Sequence, residues 1–71
     1  MSTYKFVQRN PKTAQPEVVA TYTYPAMIWS GDNVANIKSL VQSLGVNLND
    51  ESQLAKLPEL ISGAYLWVIA Q

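Results

Sequence analysis

Apolar positions along this chain alternate, then recur at helical spacing, then alternate again. Residues 3–9 (TYKFVQR) put Tyr4, Phe6 and Gln8 on one face and Lys5, Val7 and Arg9 on the other. Aromatic and β-branched residues in such an alternation predict a half-buried strand. Asn10-Pro11 opens a polar connection that runs to Pro16, because a residue before proline avoids the helical region. Residues 17–24 predict a second strand, with Val18, Ala20, Tyr22 and Tyr24 on one face and Val19, Thr21 and Thr23 on the other. Pro25 cannot donate to a ladder, so this strand ends there, bulges there or lies at a sheet edge. Residues 26–29 are expected to continue extended toward a helix.

The period then changes. Val34, Ile37, Leu40, Val41 and Leu44 fall on one arc of a helical wheel, opposite Asn36, Lys38, Ser39, Gln42 and Ser43. Ser30 suits the N-cap, with Trp29 and Val34 at the spacing of a hydrophobic staple and Asp32 as the neighbouring cap candidate. Gly45 is placed to end the helix in a left-handed cap, followed by Val46 in a Schellman-type contact. Asn49 or Asp50 can cap a short second helix over residues 51–57. Pro58 then kinks the chain into one more turn that ends at Gly63.

Residues 64–70 (AYLWVIA) predict the last strand. Ala64, Leu66, Val68 and Ala70 share one face, and Tyr65, Trp67 and Ile69 share the other. The expected fold is a small two-layer α+β domain over residues 1–71 with the order β-β-α-α-β. A three-stranded sheet, made of a hairpin plus the C-terminal strand, packs on one amphipathic helix and a short second helix. Strand order 2-1-3 is favoured over 1-2-3, with the last strand parallel to the first. A single buried helix over residues 58–70 is the competing assignment; Gly63 and the β-branched, aromatic end speak against it.

Composition narrows the chemistry. A chain of 71 residues makes one domain and buries only about 60% of the surface its unfolded form exposes. It has no cysteine and no histidine. Disulfides, and metal, haem or iron–sulfur sites built on those ligands, are therefore excluded, along with the commonest general base and the strongest side-chain nucleophile. Lys38 and Ser39 sit on a polar helix face. Asp50 and Glu51 are explained by a helix start, as is Asp32, and the run 47–51 lacks the spacing and glycine of a calcium loop. No cofactor is expected, and the chain reads as non-enzymatic.

Formal net charge is zero and only 14% of residues are charged, a balance that argues against non-specific nucleic-acid binding. The N-terminal ten residues lack the apolar core of a signal peptide, and no apolar run approaches the length of a membrane span. A soluble protein of the cytoplasm, of a cell or of a virus's host, is the expectation.

The last strand poses the functional question. One layer of helices covers one face of a sheet, so either Tyr65, Trp67 and Ile69 or Leu66 and Val68 must look outward. Fully burying one such side chain is worth roughly 1.5–3 kcal/mol, so an exposed set invites a second layer from another chain. The expected function is therefore a protein–protein interaction module: a homo-oligomer, or an accessory subunit of a larger complex such as a virion component or a phage-encoded inhibitor. Tyr65, Trp67, Ile69, Tyr22 and Tyr24 are the candidate interface residues. Lys5, Arg9 and Lys12 all precede the first acid, Glu17, and form a candidate basic lip for an acidic partner. The alternative is single-stranded nucleic-acid binding through sheet aromatics.

Overall fold

A computed structural model describes residues 2–71. Four strands form one antiparallel sheet: β1 (Ser2–Arg9), β2 (Pro16–Tyr24), β3 (Ile28–Ser30) and β4 (Leu66–Ala70), in the spatial order β3-β2-β1-β4. The helices α1 (Val34–Ser43), α2 (Glu51–Leu54) and α3 (Leu57–Leu60) lie between β3 and β4 in the chain. The α+β class and the neighbours of β1 agree with the sequence pattern. The count of three strands does not, and neither does the parallel last strand. Both differences have one origin. After Tyr24 the chain turns through a cis Pro25 and a left-handed Met27, and returns as β3 against β2. Two hydrophobes that looked like a lead-in to the helix, Ile28 and Trp29, are thus ladder residues. The extra pass reverses the direction in which the chain enters the helices, and β4 comes back antiparallel to β1.

A bulge explains a second difference. Tyr4 pairs with Tyr22 and Phe6 with Ala20, but Val7 pairs with Val18, leaving Val19 as the extra residue. One added residue transfers everything beyond it to the other face. Val18 therefore leaves the set that holds Ala20 and Tyr22 and stands 55% exposed on the opposite side. Val19 packs against the core instead, and its carbonyl oxygen accepts the N–H of Asn33 just before α1.

The start of α1 is set by that contact. Gly31 takes φ +121°, and a Cβ there would meet the Val19 carbonyl oxygen at 2.2 Å, so only glycine lets the chain pass. Ser30 is the last residue of β3, and Asn33 takes the N-cap position without a side-chain cap bond. The expected Ser30 cap thus gives way to strand pairing. The other end is as the sequence predicts. Gly45, at φ +76°, donates to the Gln42 carbonyl and Val46 to that of Val41, the two bonds of a Schellman motif. Asp50 caps α2 through its bond from the Ser52 N–H at 3.0 Å. This helix stops at Leu54 rather than 57, and Pro58 lies in the first turn of the separate α3. The strand assignment of the C-terminus stands, beginning at Leu66 rather than 64.

Tyr4, Phe6, Ala20, Tyr22 and Val68 from the sheet meet Ile37 and Val41 of α1, Leu54, Leu57 and Ile61 in one buried cluster. Trp29 lies on this side, its ring centroid 4.8 Å from Tyr22 and 5.6 Å from Phe6. The Tyr22 hydroxyl donates to the Leu48 carbonyl at 3.1 Å and so ties the loop after α1 to the sheet. Among the described residues, no helix is long and apolar enough to cross a membrane.

Candidate interaction face

The register decides which residues of β4 look away from the helices. Val68 lies opposite Phe6 and Ala70 opposite Tyr4, so Leu66, Val68 and Ala70 take the helix side, and Leu66 and Val68 pack on the core. Trp67 lies opposite Val7 and Ile69 opposite Lys5, which puts them on the outer side. Tyr65 continues the same alternation, and its carbonyl accepts the Arg9 N–H at 2.8 Å.

The bulge enlarges this outer set. Across the sheet, Val18, Val7 and Trp67 form one row, with Ser30, Thr21, Lys5 and Ile69 in the next. Val7 is only 4% exposed although it lies on the outer side, because its two cross-strand neighbours flank it. Tyr65 is 55% and Ile69 41% exposed, and Trp67 is half-buried. The result is a continuous apolar band over β2, β1 and β4. Its sequence signal was incomplete: Val18 joins only through the bulge, and Ile28, exposed at the β3 corner, only through the added strand.

Other interface candidates lie elsewhere. Tyr22 is fully buried on the helix side, so its ring belongs to the core rather than to the outer face. Tyr24 shares that side and packs on the same cluster. Burial raises the Tyr22 pKa, with Tyr24 and Tyr4 adding to the shift.

The three basic residues separate. Lys5 stands in the middle of the outer face, between Thr21 and Ile69. Arg9 stands at its end, with its guanidinium carbon 5.7 Å from the centre of the Trp67 ring. Its Nη1 also donates to the Ala14 carbonyl at 2.8 Å, and its Nε to that of Ala64 at 3.3 Å, so the cation is held in place over the indole. Lys12 lies in the loop between β1 and β2, outside this face. The nearest acid in sequence, Glu17, pairs with Gln8 and so takes the helix side of the register, accepting a bond from Asn10 at 3.1 Å. Asp50 caps α2, and Glu51 accepts the Ser2 hydroxyl at 2.6 Å. The outer face thus carries cations and no carboxylate among its paired positions.

A cleft of about 170 Å³ opens between α1 and the sheet, lined by Gln8, Val19, Asn33, Asn36, Ile37, Leu40 and Leu66. It offers amide groups and an apolar wall but no ionisable side chain, so it has no acid or base with which to move a proton. Comparison with protein-family models, curated proteins and solved structures finds no match to this chain.

Proposed function

We propose that this protein is a non-enzymatic interaction module whose outer sheet face docks on another protein. The observation that carries the reading is the band of Val18, Trp67, Ile69 and Tyr65 around the buried Val7, on the side of the sheet that no helix covers among the described residues. Burying a second layer on that band recovers hydrophobic free energy that the single chain forgoes. Tryptophan, tyrosine and arginine, here Trp67, Tyr65 and Arg9 together, are also the side chains that dominate binding hot spots.

Charge selects the kind of partner. Lys5 and Arg9 are the charged residues on the paired positions of this face, and both are cationic. Two copies packed face to face would oppose like charges. The fitting partner is an apolar protein surface with carboxylates placed to meet Lys5 and Arg9.

Capture with the full chain as bait, alongside Lys5→Glu and Trp67→Ala baits, tests this. A protein retained by the wild type and lost by both variants is the expected result. No retained protein, or retention indifferent to both changes, would remove the reading.

A second reading has one observation in its favour. Trp67 and Tyr65 share their face with Lys5 and Arg9, the combination a single strand of nucleic acid stacks on. Zero net charge weighs against it. Quenching of tryptophan fluorescence by oligonucleotides, lost steeply with salt, would favour this second reading.

A further inference from the structure

The two edges of the sheet differ in how they are guarded. The β3 edge is three residues long and ends at the left-handed Gly31, and short, kinked edges resist strand addition. The β4 edge has five residues, LWVIA, with no charge, no proline and a register free of bulges. The charges, prolines and bulges that guard many edges are thus missing from this strand.

The backbone direction of that edge can be read from its ladder. Thr3 and Gln71 exchange N–H···O bonds of 2.9 and 2.7 Å, and Arg9 donates to Tyr65. In an antiparallel pair such residues alternate with ones that turn their N–H and C=O away. The odd-numbered residues of β4 therefore bond to β1. Leu66, Val68 and Ala70 turn their amides to the side away from β1.

We propose that this edge pairs with β4 of a second copy, antiparallel and centred on Val68. The proposal goes beyond the outer-face reading, because it concerns the edge of the sheet and stands on the ladder geometry of β4. The strand is self-complementary in that register. Val68 meets its own counterpart, and Leu66 meets Ala70, a large residue against a small one. Each of these pairs exchanges two hydrogen bonds between amides that now face outward. On the outer face Trp67 lies directly opposite Ile69 of the second copy, with Cα atoms about 4.5 Å apart in such a pair, a favourable aromatic–β-branched pairing. Any shift by one residue would put the helix side of one copy level with the outer face of the other. The pairing makes one sheet of eight strands and joins the two apolar bands at Trp67 and Ile69. Lys5 and Arg9, on β1, stay clear of the seam.

Sedimentation of the full chain at micromolar concentrations, with two variants, tests the seam. Ala70→Pro removes an outward N–H and leaves the bonds to β1 in place. Ile69→Glu gives Lys5 a partner within the chain and sets a carboxylate against the second copy's indole. The expected result is a wild-type dimer that either change weakens at least about tenfold, with circular dichroism unchanged. If Ala70→Pro unfolds, Ile69→Glu decides alone. A monomeric wild type overturns the seam, as does a dimer that persists in every variant that folds. A monomer that still captures a protein through Trp67 and Lys5 fails the seam and keeps the outer-face reading. A dimer that captures none does the reverse.

Discussion

Gly31 passes so close to Val19 that a methyl group on it would lie 2.2 Å from the Val19 carbonyl oxygen. The bulge residue of β2 and the turn into α1 are thereby fitted to one another. The backbone at Gly31, φ +121°, is also one that side chains rarely adopt. Gly31→Ala should therefore destabilise the fold by more than the roughly 1 kcal/mol of an ordinary glycine change, since the Val19 carbonyl is backbone and cannot rotate aside. Gly45→Ala, with open space around its Cβ, should cost less. Urea titration of both variants checks the order.

The aromatic residues divide by face, and their substitutions should divide likewise. Phe6→Ala empties a fully buried site and should cost about 3–5 kcal/mol, enough to unfold a domain of this size. Trp67→Ala removes a half-buried ring from the outer face and should cost about 1–2 kcal/mol, leaving the chain folded. Thermal melts by circular dichroism separate the two.

Tyr22 links stability to alkaline pH. Its folded-state pKa is raised by burial, so the unfolded chain loses the proton first. The contribution is complete below the ordinary tyrosine pKa, near 10, and is lost as pH rises through the higher folded value. Tyr22→Phe forfeits the bond to Leu48, at a cost of about 0.5–1.5 kcal/mol near neutral pH. Above about pH 10 the variant should lose stability less steeply than the wild type.

Asp50 gives the opposite slope. Bonds from the Ser52 hydroxyl and N–H lower its pKa. Its contribution is present above the ordinary carboxylate range and fades as pH falls through the lowered value. Asp50→Ala should lower the melting temperature at pH 7, and the gap to wild type should close in acid. Melts from neutral pH to pH 2 follow it.

Local physics accounts for most of what the sequence alone determined. The spacing of Val34, Ile37, Leu40 and Val41 predicted a helix, Gly45 its end, and the alternation of Tyr4 to Arg9 a strand, while over Leu66 to Ala70 Gly63 and the β-branched, aromatic end favoured a strand over a buried helix. The absence of cysteine and histidine bounded the chemistry before any fold was known. Alternation also grouped Tyr65, Trp67 and Ile69 on one face, because side chains on a strand repeat every two residues.

Only the tertiary structure decided which side that face takes, and what joins it. Pairing is a contact between distant residues, and three residues of β3 carry too weak a local signal to announce themselves. A one-residue bulge leaves no mark on hydrophobicity, yet it sends Val18 outward while Tyr22 and Tyr24 stay with the core. The extra strand then fixed the antiparallel entry of β4, and that entry places β4 at the end of the sheet with Trp67 on its outer side.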